Sequence, residues 1–198
     1  MPPRRWYALF NKRRSNTLSK QEQESLLALA RKTIEAKLND SPPPEVTDAS
    51  SYLKNGCGAF VTLTKNDNLR GCIGLIKSPK PLGQTIQEAA EAAAFKDPRF
   101  PPLNEDELKD IRIEISVISP LQKISSIRKI KVRRHGLFIK KGAAQGLLLP
   151  QVAAHHDWDR QTFLEHVCLK AGLEKDAWKE PESEIMVFDA QVFEEEPE

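Results

Sequence analysis

The sequence predicts an α+β fold for this chain of 198 residues. Segments in which apolar residues recur every three or four positions, as in helices, are mixed at irregular spacing with segments that alternate apolar and polar residues, as in strands. This irregular order favours α+β over a repeated βαβ array. Hydrophobic residues make up 39% of the chain and charged residues 29%, which is the composition of a globular, soluble domain. At this length we expect one domain, with a smaller second subdomain possible.

The first predicted element is a helix that begins after Ser19. Ser19 and Glu22 form an S-x-x-E capping box, which binds the free N–H groups at a helix start. Apolar residues then recur at helical spacing to about Leu38, and the prolines at 42–44 end the helix.

The next predicted element is a β-hairpin from Cys57 to Leu75, with its turn at residues 65–68. A turn of this length places Val61 opposite Cys72. Alternation along the second strand places Arg70 and Cys72 on one face of the hairpin. The other face then carries apolar residues that we expect in the core, namely Leu69, Ile73 and Leu75.

The remaining elements are predicted from the same kinds of pattern. In order, they are a helix from Pro81 to about Phe95, a short helix at 103–109, a strand at Ile111–Ile118, a hairpin built from Gly136–Lys140 and Leu147–Val152, a helix from Asp157 or Asp159 to Ala171 that Gly172 ends, and a last strand through Met186–Val192.

The predicted strand at 69–74, LRGCIG, is the segment that points most clearly to chemistry. A guanidinium beside a thiol favours the reactive thiolate, so Arg70 is expected to activate Cys72. Gly71 and Gly74 weaken a strand, which indicates close approach by another backbone or by a ligand. The alternative is structural, because a free cysteine is among the residues most often buried in a core.

Three charged residues elsewhere extend this hypothesis. Glu114 lies on the polar face of an otherwise apolar strand. If that face meets the cleft of Arg70 and Cys72, Glu114 is a general base or an ion-pair partner, and otherwise it is a solvated or salt-bridged carboxylate. Asp97 and Arg99 flank a proline and are expected to pair locally to fix a loop, with anion binding as the alternative. Cys168 shares a helical face with apolar residues, so we expect it in a core.

Known metal and phosphate motifs are not found. His155, His156 and Asp157 look like metal ligands, but neighbouring histidines diverge and no third ligand stands at a recognised spacing. The sequence contains neither of the glycine-rich phosphate loops. Nothing in it demands a cofactor or a metal.

Charge is unevenly distributed although the net charge is only +2. Residues 1–16 form a basic arm, the segment 123–141 is basic, and residues 195–198 end an acidic stretch that starts near Glu180. One interpretation is surface charge that segregates, with the acidic stretch near a basic face. The other is a face that binds nucleic acid or another polyanion. Aromatic residues for stacking on bases are sparse near 123–141, which weakens the nucleic-acid interpretation.

The compartment is expected to be the cytoplasm. No apolar run approaches the roughly 20 residues of a membrane helix, and the N-terminus lacks the apolar core of a signal peptide. The 3 cysteines are too few and too scattered for a disulfide framework.

Six motifs in order carry a family resemblance. They are GAFVTL at 58–63, LRGCIG at 69–74, FKDPRFPPL at 95–103, IEISVISP at 113–120, GLLLPQVA at 146–153 and FLEHVCLKAGL at 163–173. Together they resemble the AMMECR family, for which LRGCIG is the signature. The resemblance covers roughly residues 18–193, so we expect the domain at 17–194.

The resemblance implies more about structure than about activity. Members are similar to a two-lobed α+β domain with a mainly antiparallel sheet and flanking helices. Microbial members resemble one component of a three-part system with a Memo-like protein and a radical SAM protein, and no reaction is assigned to them.

The hypothesis that follows is an enzyme, or a partner subunit of one, with Cys72 as nucleophile, Arg70 as activator and Glu114 as base. Asp97, Arg99 and Gln151 would lie nearby. The alternative is a binding module for a protein or a polyanion, acting through 123–141.

Overall fold

The computed structural model describes residues 17–46 and 57–196, and these form two compact units. The first unit extends through Ile118 and resumes at Gln191, and the second is Ser119–Ala190. The first contains α1 (Lys20–Leu38), β1 (Gly58–Lys65), β2 (Asn68–Leu75), α2 (Leu82–Phe95) and β3 (Ile111–Ile118). The second contains β4 (Gln122–Lys123), β5 (His135–Lys141), β6 (Ala144–Leu148), α3 (Pro150–His155) and α4 (Arg160–Lys170), and β7 (Glu184–Glu194) has residues in both.

The strand pairings are antiparallel in both units. In the first unit β1 lies between β2 and β3, and in the second β5 lies between β6 and β7 while β4 pairs with β7. The helices α1 and α2 flank the first sheet, and α3 and α4 flank β5 and β6. The predicted α+β fold, with an antiparallel sheet, flanking helices and two subdomains, is therefore confirmed.

The first sheet has one apolar face and one polar face. Side chains on the apolar face, including Val61, Leu63, Ile113 and Ile115, are fully buried in one core with residues of α1 and α2. Alternation places every second residue of these strands on the opposite face. We call this opposite face the polar face, and its members are Phe60, Thr62, Thr64, Cys72, Gly74, Arg112, Glu114 and Ser116.

The predicted helix ends are confirmed where side chains cap them. Ser19 and Glu22 make both bonds of the capping box. Asp159, one of the two predicted alternatives, accepts the Thr162 N–H at the start of α4. Gly172 follows α4 with a φ of +72°, the left-handed conformation typical of a helix end.

Two predicted elements are wrong in extent. The strand predicted through Val152 stops at Leu148, because Pro150 opens α3, and proline suits the first helical position. The helix predicted at 103–109 is only a three-residue 3-10 turn at Glu105–Glu107, which Asn104 caps. Of the helices in the described ranges, none has both the length and the apolar composition needed to cross a membrane. The predicted basic arm at 1–16 lies outside the described residues.

Candidate functional site

The hairpin that carries the signature contains a β-bulge at Arg70. Its turn is formed by Asn66 and Asp67, whose φ values of +51° and +61° fit a two-residue turn. Close to the turn the register is as predicted, with Thr64 opposite Leu69. Beyond the extra residue the register shifts by one, so Cys72 lies opposite Thr62. The predicted pairing of Cys72 with Val61 is wrong, because alternation alone does not reveal a bulge.

The bulge also separates Leu69 from the face that Ile73 and Leu75 share. Leu69 lies on the polar face beside Thr64 and is 44% exposed, and Leu75, at the end of the edge strand, is 46% exposed. Only Ile73 packs against the core as predicted. The expectation that all three side chains are buried is therefore wrong.

Thr62 lies at the centre of the site. It is on the middle strand, with Cys72 beside it on β2 and Glu114 beside it on β3. The Thr62 hydroxyl donates to Cys72 Sγ over 3.2 Å. Two neighbouring strand pairs separate the Cα atoms of Cys72 and Glu114 by about 10 Å. The structure thus brings together the predicted nucleophile and the predicted base, with a hydroxyl between them.

Asp97 and Arg99 bind the outer edge of β2 at Cys72. The Asp97 carboxylate accepts the Cys72 N–H over 2.9 Å, and Arg99 Nη2 donates to the Cys72 carbonyl over 3.2 Å. The two side chains also pair with each other, with Nε–Oδ1 at 2.9 Å and Nη2–Oδ2 at 2.6 Å. Together they replace the neighbouring strand that an edge strand lacks. Their predicted pairing is confirmed, and Arg99 and two backbone N–H donors hold the pKa of Asp97 well below its usual range.

Arg70 is bound by a different carboxylate. It is 8% exposed and forms a bidentate pair with Glu107, with Nε–Oε1 at 3.0 Å and Nη2–Oε2 at 2.8 Å. Lys65 adds a third bond to Glu107, whose pKa is lowered to about 2, mainly by its bond to Arg70. The ring of Phe100 lies between the two arginines, 6.0 Å from Arg70 Cζ and 5.5 Å from Arg99 Cζ. Arg70 thus fixes the segment that carries Arg99.

The surroundings of Cys72 favour its thiol over its thiolate. Burial raises its pKa above that of an ordinary cysteine, and the charges of Glu114 and Asp97 add to that rise. The bond from Thr62 and the charge of Arg99 act in the opposite direction but are outweighed. The expectation that Arg70 favours a Cys72 thiolate is therefore wrong, since the guanidinium that acts on the thiol belongs to Arg99.

The two signature glycines permit close approach, as predicted. A Cβ added at Gly71 would lie 2.1 Å from the Ala93 carbonyl oxygen of α2. A Cβ added at Gly74 would lie 2.3 Å from the Ala59 carbonyl oxygen and 2.5 Å from the Phe60 ring, so β1 and this ring lie directly against Gly74. The missing side chain at Gly71 therefore lets β2 pack directly against α2, and the missing side chain at Gly74 leaves space for the Phe60 ring on the polar face.

Three other predicted positions lie apart from this row or inside a core. Gln151 is half-buried on α3 of the second unit, whereas the other predicted site residues belong to the first. Cys168 is fully buried in the core of the second unit, as predicted, and Cys57 is buried in the first. Burial raises the pKa of both thiols.

The paired histidines belong to an aromatic stack. The Trp158 indole lies between His156 and His166, with ring centroids 5.0 and 3.9 Å away. Within residues 17–46 and 57–196, no three His, Cys, Asp or Glu side chains are arranged to hold a metal ion.

The basic segment 123–141 contains 8 lysines and arginines. Four of them form ion pairs, namely Lys123–Glu184, Arg133–Asp157, Arg134–Asp189 and Lys141–Glu180. Three of these carboxylates come from the acidic stretch, which supports the interpretation of an acidic segment beside a basic face. Glu195, placed in the tail by composition, pairs with Arg31 and accepts the Ile113 N–H.

Sequence reasoning missed Thr62, Phe60 and Glu107. The signal for Thr62 and Phe60 was present, since an even spacing places both on the face opposite Val61 and Leu63. The position of Thr62 and Phe60 next to Cys72 and Gly74 depends on the β-bulge at Arg70, and no pattern in the sequence indicates that bulge. Glu107 pairs with Arg70 across 37 positions of sequence, and nothing local indicates such a partner.

Comparisons with known proteins agree with the fold. The family model described as AMMECR1 matches residues 27–193. Protein MK0488 of Methanopyrus kandleri is 46% identical over 188 residues, which cover 90% of this chain and 91% of the relative. Protein NEQ441 of Nanoarchaeum equitans is 41% identical over 181 residues, covering 86% and 99%. The crystal structure of the uncharacterized protein PH0010 from Pyrococcus horikoshii superposes with a TM-score of 0.85 at 38% identity, covering 90% and 94%.

Proposed function

This chain belongs to the AMMECR1 family, and from that premise we propose that its polar face is a nucleophilic cysteine site. Cys72 is the nucleophile, Glu114 is the general base, and Arg99 is the cation beside the reacting sulfur. The observation that carries the proposal is the row in which Thr62 has Cys72 on one side and Glu114 on the other.

The neutral resting thiol determines how such a site works. A thiol with a raised pKa attacks only as its proton leaves, so the reaction needs a base in the row. With an acyl ester, the Sγ–C bond forms and the C–O bond breaks. The thiol proton passes to Glu114, and the alkoxide or phenolate leaves with the bonding electron pair. An alkoxide then takes that proton back from Glu114 and departs as the alcohol, whereas p-nitrophenolate departs as the anion.

Arg99 supplies a positive charge beside Cys72, which the Glu114 carboxylate cannot do. Its side chain is 48% exposed, and its Nε and Nη2 are held by Asp97 and the Cys72 carbonyl. The guanidinium therefore has a fixed position beside Cys72 and still faces solvent. A fixed cation at this point stabilises negative charge that develops on an attacking sulfur or on a bound anionic group.

The test uses p-nitrophenyl acetate, a generic acyl donor. We expect a burst of about one p-nitrophenolate per chain and acetylation mapped to Cys72. Cys72→Ser should abolish the burst, and Glu114→Gln should slow it about a hundredfold or more, the usual contribution of a general base. Cys168→Ala is the matched control and should leave the burst unchanged. Acetylation elsewhere, or none at Cys72, would overturn the proposal.

The proposed biological setting is a partnership with Memo-like and radical SAM proteins, in which this chain is an enzyme component or a partner subunit. The family resemblance supports this setting. We expect the purified chain to co-elute in size-exclusion chromatography with at least one such protein encoded in the same genome. Separate elution of all three, at concentrations well above micromolar, would contradict the partnership and leave the cysteine site to be judged by the acyl-transfer test.

A further inference from the structure

We propose that the Thr62 hydroxyl is the proton link between Cys72 and Glu114. This inference rests on the proposed cysteine site and adds a third reacting side chain to it. Thr62 lies on β1 in the GAFVTL segment, outside the signature strand, and nothing in that segment marks it as a reacting residue.

The geometry places Thr62 in direct contact with the reacting atom. Its Oγ1 lies 3.2 Å from Cys72 Sγ, within hydrogen-bond range for sulfur. The backbone of Cys72 points its N–H and carbonyl outward to Asp97 and Arg99. Cys72 and Thr62 are therefore a pair without mutual backbone bonds, the kind in which facing side chains come closest.

Glu114 lies on the other side of the same hydroxyl. It is directly opposite Thr62 on β3, and side chains directly opposite each other have Cβ atoms about 5 Å apart. Cys72 is one strand further away. A carboxylate in this position reaches the hydroxyl before it reaches the sulfur.

A hydroxyl suits this position because it both donates and accepts. For the transfer, the Thr62 hydroxyl first turns its proton from Cys72 Sγ toward a Glu114 carboxylate oxygen, so that Oγ1 can accept from the Cys72 S–H. The Cys72 S–H proton then moves to Thr62 Oγ1 while the Thr62 hydroxyl proton moves to Glu114. Thr62 gains one proton and loses one. The products are a Cys72 thiolate, a neutral Glu114 carboxylic acid and a Thr62 hydroxyl that now donates to the thiolate.

The first test is a double-variant cycle on Cys72 alkylation by iodoacetamide, measured against pH with peptide mapping. Thr62→Val keeps the shape and removes the hydroxyl, so we expect the Cys72 rate at pH 8 to fall about fivefold, the usual worth of one hydrogen bond. Thr62→Ser keeps the hydroxyl and should stay within about twofold of wild type. Glu114→Gln removes the proton acceptor and should also lower the rate, and that loss should be at least halved in the Thr62→Val background. Additive effects of the two substitutions would overturn the link.

A second measurement separates failure of the link from failure of the cysteine site. In a Cys57→Ala/Cys168→Ala chain, Cys72 is the single thiol, and its S–H stretching band in the infrared reports hydrogen bonding without any reaction. We expect Thr62→Val to shift this band and Thr62→Ser to leave it in place. A shift with an unreactive Cys72 would support the link and overturn the proposed function. An unmoved band in the Thr62→Val chain would overturn the link, whatever Cys72 does with electrophiles.

Discussion

Both units contain ion pairs between basic side chains and carboxylates, but these pairs differ in how far they are exposed to solvent. In the first unit the Asp97 carboxylate is buried and the Glu107 side chain is 14% exposed. Each forms two bonds to an arginine, and the Asp97–Arg99 pair also binds the backbone of Cys72. In the second unit the pairs Lys123–Glu184 and Arg134–Asp189 are about half exposed on both sides.

This difference in exposure distinguishes ion pairs that fix the structure from ion pairs that lie on the surface and contribute little to stability. Exposed pairs contribute roughly 0 to 1 kcal/mol because water and salt screen them. Breaking a buried pair costs about 3 to 5 kcal/mol, since the remaining charge is left without its partner. We therefore expect the Asp97–Arg99 and Arg70–Glu107 pairs of the first unit to control Cys72, and the exposed pairs of the second unit to add little.

The largest loss of stability should come from a substitution that pushes β2, the strand that carries Arg70 and Cys72, away from α2. Gly71→Ala places a methyl group against the Ala93 carbonyl, so we expect a loss of about 3 to 5 kcal/mol in the free energy of unfolding. Urea titration measures it. The control is Gly142→Ala, where no atom lies within 4 Å and only the positive φ is strained, at about 1 kcal/mol. Equal losses at both positions would show that the contact with α2 carries no special weight.

The next effect compares one buried and one exposed arginine directly. Arg70→Met leaves Glu107 with Lys65 alone, and we expect a loss of about 2 to 4 kcal/mol. Arg134→Met should lose less than about 0.5 kcal/mol, because its pair with Asp189 is exposed. Thermal and urea unfolding of both variants measure the difference. Similar losses would break the distinction between the two units.

Acid should weaken the first unit through its lowered carboxylates. The pKa of Glu107 is about 2 in the folded chain and about 4.3 when unfolded, so its contribution of about 2 to 3 kcal/mol is present above roughly pH 4.5. That contribution is lost as the pH falls toward 2, and the lowered pKa of Asp97 acts in the same direction. Unfolding free energies measured from pH 6 to 2.5 should fall, and Glu107→Gln should flatten the curve. An unchanged slope in that variant would contradict the assignment.

The smallest effect should be polyanion binding by the second unit. Acidic neighbours already pair with four of the cations in segment 123–141. We expect no retention on duplex DNA at about 0.15 M salt, where each neutralised phosphate adds to the salt slope. Tight binding with a steep salt dependence that Lys129→Ala and Lys131→Ala reduce would restore the polyanion alternative.

The fold was more predictable than the site because helices and strands leave local patterns. The capping box at Ser19 and the alternation of Ile111–Ile118 each predicted an element with correct bounds or nearly so. The site depends on a bulge at Arg70 and on the distant partner Glu107, and neither leaves a periodic signal. The residue types alone predict that Arg70 activates Cys72 and that Arg99 pairs with Asp97 to fix a loop. In the structure Arg70 is paired with Glu107, whereas Arg99 is paired with Asp97 and also donates to the Cys72 carbonyl, so Arg99 is the arginine beside the thiol.

The most direct measurement is the alkylation rate of each cysteine against pH in the wild-type chain. We predict that Cys72 reacts faster than the buried Cys57 and Cys168, with an apparent pKa above the free-thiol value of about 8.5. Glu114→Gln should lower that apparent pKa, and Arg99→Gln should raise it. A Cys72 as inert as Cys168, or one with an apparent pKa that neither substitution moves, would contradict the site.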